Sequence, residues 1–275
     1  VGLPQNNWMN PEWPEEAARI IKHWMDTGID GMIIDAPIFY AGCTWEKNKK
    51  YITGIISSYS NKMVLSEAAR HVPWIVRGNY NSMIDYGLHR WNDRWNWDNN
   101  SIEYAIDTGD PRPIEQSLHS NHDVIVSAGG SLYKRTVSVN KYNNVSKKYL
   151  YVATLAAIGD IVAYGRTSGS PEPEETWILK TKNAHKALHQ LASRKKLRTN
   201  SDDKYFAFIK TAKDGSEQIL TILNYQNSTQ SIIVDLENIF SGNLLDLKNN
   251  SSLKLDGNSL KIELPAYGYK FFKLY

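Results

Sequence analysis

The spacing of apolar residues changes character along this chain, and each change marks an element. From Pro11 to Thr27 the apolar positions keep helical spacing, with Ala18, Ile21, Trp24 and Met25 on one face and charges opposite. Gly28-Ile29-Asp30-Gly31 then reads as a helix stop and loop. Met32-Ile33-Ile34 is an apolar run that ends abruptly at Asp35. Such a run is too short for a helix and is bounded by Gly and Pro, which suits a strand buried on both faces. Lys47 to Ser60 returns to helical spacing through Ile52, Ile55 and Ile56. Lys62-Met63-Val64-Leu65-Ser66-Glu67 repeats the strand-then-acid design, and a weaker strand follows near Ser82 to Tyr86. Gly109-Asp110-Pro111-Arg112-Pro113 breaks regular structure. The run from Gln116 to Asp123 reads as a third strand, Leu118 to Asp123, closed by an acid. Lys148 to Ile158 is a compact apolar helix, Asp160 to Gly165 a last strand, and Glu175 to Arg194 a closing helix headed by acids and ended by bases, as the dipole prefers.

From about Asp202 the period falls to that of strands. Lys204 to Lys210, Gln218 to Leu223 and Gln230 to Asp235 are short β-rich runs. Lys213-Asp214-Gly215-Ser216 is a hairpin signal, and Ala266 to Lys273 adds an aromatic-rich strand after a stretch punctuated by Asn, Gly and Ser. The pattern predicts an α/β domain over 1–200, with parallel strands alternating with helices, and a small antiparallel β-sandwich over 201–275.

Composition narrows the function classes. With 275 residues and 41% hydrophobic content the chain can bury a substantial core. The formal net charge is only +3, and the basic cluster Arg194 to Arg198 reads as a solvated helix end, so no nucleic-acid partner is expected. No apolar run approaches eighteen residues and no signal peptide is visible, so no membrane partner is expected. Cys43 is the sole cysteine, which rules out an internal disulfide and reads as a buried thiol. The histidines are scattered without ligand spacing, so neither a metal nor a cofactor is expected. Trp91, Trp95 and Trp97 crowd one segment after Tyr86, which fits either a platform for sugar faces or packing at a loop rim. Asn-x-Ser/Thr sequons at Asn99, Asn144, Asn227, Asn249 and Asn250 fit glycosylation in a eukaryotic secretory pathway or simply an Asn-rich chain. A secreted or periplasmic location is favoured over a cytoplasmic one.

The acids at the run ends carry the chemistry. Active sites of α/β barrels sit where parallel strands end, and Asp35, Glu67 and Asp123 would converge there. Two carboxylates about 5 Å apart are what a retaining glycosidase needs as nucleophile and proton donor. Asp35 alone also fits a helix cap or a loop anchor.

Taken together, these segments resemble the α-amylase family of glycoside hydrolases, nearest its α-glucosidase and oligosaccharide-cleaving branches. Pro4-Gln5-Asn6-Asn7-Trp8-Met9-Asn10-Pro11 and the stretch from Glu15 to Gly31, a helix continuing into the next motif, resemble the family's approach to its fourth barrel strand, and Asp35-Ala36 the end of its nucleophile motif. Glu67 matches the general-acid motif, and Asn121-His122-Asp123 the Asn-His-Asp motif. The resemblance implies a partial (β/α)8 barrel, strands four to eight, followed by the family's C-terminal β-domain. It further implies Asp35, Glu67 and Asp123 as catalytic residues, His122, Asn121, Phe39 and Trp91 as substrate contacts, and an oligosaccharide as substrate.

The departures pull the other way. The family's Arg two residues before the nucleophile is Ile33 here, so Asp35 lacks a close guanidinium unless Arg70, Arg77 or another chain supplies one. The Lys-His pair of many α-amylases is replaced by Ile38-Phe39, which argues for a small substrate. The chain opens at Val1, one helix before the fourth strand, and reads as a processed, truncated or incomplete product. Five parallel strands do not close a barrel of eight, so a homodimer or a complex with a separate N-terminal half is expected, burying roughly 1,000 Å² or more. Two functions stay open: a retaining α-glycosidase, or a non-catalytic relative that binds carbohydrate or a partner protein.

Overall fold

A computed structural model describes residues 6–34, 45–59, 62–66, 82–84, 101–119, 131–135, 142–159, 161–163, 170–189, 191–237, 242–255 and 257–275. The first part is a parallel sheet with helices. Helix α1 (Glu12–Asp26) buries Pro14, Ala17, Ile21 and Met25, one stripe at helical spacing. The buried face keeps the expected Ile21 and Met25 but is rotated toward Pro14 and Ala17: Trp24 is 51% exposed, because the stripe through Ala17, Ile21 and Met25 leaves it on the flank. Strand β1 (Gly31–Ile34) follows. Gly31 lies so close to Met63 that a Cβ would stand 2.1 Å from its carbonyl oxygen, and only glycine fits there. Helices α2 (Trp45–Asn48) and α3 (Gly54–Ser57) are joined by a π-helical turn, Lys49–Thr53, so the expected helix from Lys47 to Ser60 is present but widened at its centre. Ile34 and Val64 pack with Ala17, Ile21, Met25, Ile52 and Ile56 in one cluster, which covers one face of the sheet with α1 and α3.

Strands β2 (Met63–Ser66), β3 (Ser82–Ile84), β4 (Ser131–Arg135) and β5 (Ile161–Ala163) extend the sheet in the order β1-β2-β3-β4-β5, every neighbouring pair parallel. Between β3 and β4 lie α4 (Ser101–Thr108) and α5 (Arg112–Ser117). Here the structure corrects the sequence reading. The expected strand Leu118 to Asp123 does not begin at Leu118: helical backbone continues through Leu118 and His119. Pro111 and Pro113 pre-set helical φ at the start of α5, and Ile114 and Leu118, one turn apart, are both fully buried. The fourth place in the sheet is taken by β4, further along the chain.

Helix α6 (Val145–Ile158) starts at Asn144, whose side chain accepts the Lys147 amide at 3.2 Å, and it is buried almost all round. Helix α7 (Pro173–Ala184) starts with a capping box between Glu172 and Glu175. It ends at Ala184, followed by a 3-10 turn, Lys186–Leu188, not at Arg194 as expected. The backbone turns extended at His185 and takes a positive φ of 63° at Leu191, which no helix tolerates.

The basic cluster is consequently a strand. β6 (Ser193–Leu197) forms one edge of a six-stranded antiparallel sheet in the order β11-β10-β13-β8-β7-β6. Lys-rich edges resist pairing with other chains. Its cations face carboxylates of this chain: Arg194 meets Glu115, Lys195 meets Glu237 and Lys196 meets Asp202. The other members are β7 (Tyr205–Thr211), β8 (Gln218–Asn224), β10 (Asn243–Asp246), β11 (Ser251–Lys254) and β13 (Tyr269–Leu274). β9 (Gln230–Asp235) and β12 (Ser259–Leu264) pair as a separate ribbon. The β7–β8 hairpin turns where the sequence indicates, with Gly215 at φ 70° and Asp214 accepting the Ser216 amide at 3.0 Å.

The six-stranded sheet is covered on both faces. Tyr205, Ala207, Ile209 and Ile222 pack with Ile232, Val234 and Leu260 of the ribbon. Phe206, Phe208, Leu223 and Phe271 pack with Ile114, Leu118, Leu150, Val152 and Ile178 of α5, α6 and α7. That is why β7 shows no alternation: every residue from Tyr205 to Lys210 is buried.

Candidate active site at the ends of the parallel strands

The site-bearing geometry starts from the pairing of β1 with β2. They run parallel with Ile33 opposite Leu65 and Ile34 opposite Ser66. The two strands therefore finish side by side, in neighbouring positions about 4.8 Å apart. Asp35 and Glu67 are the next residues in the sequence. Asp35, Phe39, Glu67, Trp91, Asn121, His122 and Asp123 themselves all lie outside the described residues, as do Arg70 and Arg77.

The described part of the sheet has one covered and one open face. Ile34 and Val64 point into the α1–α3 cluster. Ile33 is 52% exposed and Met63 36%, so the opposite face presents apolar side chains without cover among the described residues. An isoleucine has no interaction to offer solvent, and its exposure marks this as a surface shaped for packing. Ile33 supplies no donor where an arginine would offer five.

Helix α6 precedes β5 in the chain and α7 follows it. A polar group joins them. Glu172 accepts from Tyr149 Oη at 2.6 Å and from Lys148. The hydrogen bond to Glu172 is the main reason the Tyr149 phenol is pushed up to about 12. Nearby Glu174 accepts from Tyr269 and from Lys248 Nζ at 2.5 Å. Lys182, buried in α7, donates to the carbonyls of Gly159 and Leu188 at 2.5 Å each, which ties the entry of β5 to the end of α7.

A second knot holds the far end of α7. Glu217 sits 2.8 Å from His185 Nδ1, accepts the Ala187 amide at 3.1 Å and lies 3.2 Å from Lys273 Nζ. Burial pushes the Glu217 carboxyl up, but hydrogen bonds from His185, the Ala187 amide and Lys273 outweigh it and hold it below the ordinary value. None of these partners was legible in sequence, since they stand 30 or more residues apart, as in the 32 between His185 and Glu217. Among the described residues no group of three or more His, Cys, Asp or Glu is placed to hold a metal ion, and no helix is long and apolar enough to cross a membrane.

With this geometry in view, the chain can be set beside known proteins. Residues 196–271 match the model of the maltogenic amylase C-terminal domain. The whole chain has the fold of solved α-amylases. It resembles the noncanonic maltogenic α-amylase AmyB from Thermotoga neapolitana over 98% of its length and 67% of that chain, with a TM-score of 0.71 and 12% identity. An Anoxybacillus α-amylase matches over 99% of this chain and 65% of its own, with a TM-score of 0.73 and 18% identity. The Geobacillus thermoleovorans α-amylase, solved with acarbose, matches over 97% and 65%, with a TM-score of 0.73 and 15% identity. The chain spans about two thirds of the length of these structures. No curated protein sequence matches it. The chain thus shares the fold of part of these α-amylases, and its residues 196–271 resemble the maltogenic amylase C-terminal domain.

Proposed function

We propose that this region contributes the catalytic carboxylates of a retaining hydrolase acting on α-glucosidic bonds of small oligosaccharides. In this reading the five parallel strands are strands four to eight of a (β/α)8 barrel over residues 1–200, and 201–275 is its β-domain. Asp35 attacks the anomeric carbon. Glu67 protonates the leaving oxygen and then activates water. Asp123 stabilises the charged transition state. His122, Asn121, Phe39 and Trp91 contact the sugar. The observation that carries the reading is the β1–β2 register, which ends Ile34 and Ser66 side by side immediately before the two acids. The sheet edges at β1 and β5 pair with the remaining barrel strands, from a preceding segment of the same polypeptide, a separate N-terminal half or a second copy, and the face at Ile33 and Met63 turns toward the barrel interior. A secreted or periplasmic location accords with an oligosaccharide substrate.

Ile33 favours a second reading. A barrel that lost the arginine beside its nucleophile would bind carbohydrate or a partner without hydrolysing it. Hydrolysis of 4-nitrophenyl α-maltoside by the full-length protein separates the two. The glycosidase reading expects turnover that falls by about a thousandfold or more in Asp35→Asn and in Glu67→Gln, both still folded. Turnover that survives either substitution, or its absence from the parent protein, would sink it.

A further inference from the structure

Helix α1 carries a second apolar stripe that its own packing does not use. Ala17, Ile21 and Met25 meet the sheet and α3. At about 100° per residue, Ala18, Lys22 and Asp26 fall on one side of that stripe, and Ile20 and Trp24 on the other. The first flank is taken. Asp26 Oδ1 accepts from Tyr59 Oη at 2.6 Å, and Lys22 Nζ donates to Asp26 Oδ2 at 3.1 Å. Ala18 and Lys22 line a groove with Ile55, Ser58 and Tyr59 of α3 and the turn after it. The opposite flank is left uncovered among the described residues: Ile20 is 41% exposed and Trp24 51%. One turn apart, the two adjoin each other on the helix surface, so they form a patch and not two scattered residues.

The patch stands where the sheet stops. β1 is first in the order β1-β2-β3-β4-β5, so its second edge pairs with no strand among the described residues. α3 leads into β2 and packs on the β2 side of α1. The flank of α1 away from α3 therefore overhangs the open edge of β1. In a parallel sheet each added strand brings a helix, and right-handed crossovers keep those helices side by side on one face. Neighbouring helices pack at roughly 8–10 Å, a gap that Ile and Trp side chains fill. The fold has such units to offer: the solved α-amylases extend beyond what this chain spans by about a third of their length.

We propose that Ile20 and Trp24 are the seat for an amphipathic helix of a further strand–helix unit, drawn from the part of the α-amylase fold that this chain does not span. The inference rests on the barrel reading above and adds to it the contact between helices outside the sheet. A second copy of this chain fits the seat poorly. A two-fold axis that brings two β1 edges together either reverses one strand or turns its helices to the other face, and neither continues a parallel sheet covered on one side.

The test is hydroxyl-radical footprinting of the full-length native protein, read by mass spectrometry at Trp24, with the 57% exposed Tyr275 as the open reference. Trp24 is expected to label about tenfold or more below Tyr275, each scaled to its free amino acid, because a helix packed at that distance shuts solvent from the indole. The protection holds on dilution. Trp24→Glu puts a charge into the contact and lowers the melting temperature by about 5 °C or more. If Trp24→Glu does not fold, Ile20→Gln is judged by the same criterion. Labelling of Trp24 within about twofold of Tyr275 overturns the proposal. So does protection that is lost on dilution to the mass of one chain, which assigns the patch to a second copy. Protection with a melting temperature unchanged within about 1 °C overturns it as well, since a seat for an apolar helix does not take a glutamate. Hydrolysis plays no part in the readout. A protein that protects Trp24 and cleaves nothing overturns the active-site reading alone, and one that cleaves 4-nitrophenyl α-maltoside with Trp24 open overturns the docking surface alone.

Discussion

The parallel sheet and the six-stranded antiparallel sheet use the same residue types to opposite ends. In the antiparallel sheet β7 and β8 pair along their whole length, from Tyr205 opposite Asn224 to Thr211 opposite Gln218. Both faces of that sheet are filled from within the chain, by the ribbon on one side and by α5, α6 and α7 on the other. In the parallel sheet β2 and β3 share only Leu65 opposite Ser82 and Ser66 opposite Met83, and Ile33 faces outward. The closed region provides rigidity, and the open one is where the candidate acids follow the strands. Under the proposed function, stability and chemistry are divided between these two sheets.

The sharpest way to break this contrast is to cut into the shared core. Phe208 is fully buried between sheet and helices, and Phe208→Ala is expected to cost about 3–5 kcal/mol by chemical denaturation. Ile33→Ser, on the open face, should change stability by less than about 0.5 kcal/mol in the same assay. Equal losses at the two sites would refute the division, because Ile33 would then be as well covered as Phe208.

A smaller effect follows from the Glu217 knot. Its folded pKa lies below the unfolded one, so its contribution is fully present above the ordinary glutamate range and is lost as pH falls through the folded value. Glu217→Gln should lower the melting temperature at neutral pH by the equivalent of about 1 kcal/mol and flatten the acid limb of the stability profile. An acid limb as steep as the parent's would show that other carboxylates set it.

The smallest structural change tests the open face directly. Ile33→Arg should leave stability within about 0.5 kcal/mol, since the position is half exposed. If Asp35 is the nucleophile, the new guanidinium supports its charge and hydrolysis of 4-nitrophenyl α-maltoside rises. An unchanged or lower rate in the folded variant counts against the proposed role of Asp35.

The elements read correctly from the sequence are those whose signal is local. The run Met32-Ile33-Ile34, the apolar α6 and the Asp214-Gly215 hairpin each carry their own period or turn residue. Strands β10, β11 and β12 were hidden in an Asn-, Gly- and Ser-rich stretch because their partners, not their own composition, make them strands. The run Gln116 to His119 misled for the mirror reason. Its apolar Leu118 serves a helix whose other contact, Ile114, lies one turn back across a proline-set start.

The sequence by itself determined that an α/β region precedes a β-rich one, and that acids follow strand-like runs at Asp35 and Glu67. Both are properties of neighbouring residues, whose spacing and turn chemistry are written in order along the chain. Only the tertiary structure decided that Arg194 belongs to a strand and grips Glu115, that Ile33 faces outward while Trp24 flanks its helix, and that β1 and β2 end together. Those outcomes depend on which distant segments meet, and the free energy of such a meeting belongs to the pair of segments and not to either one alone.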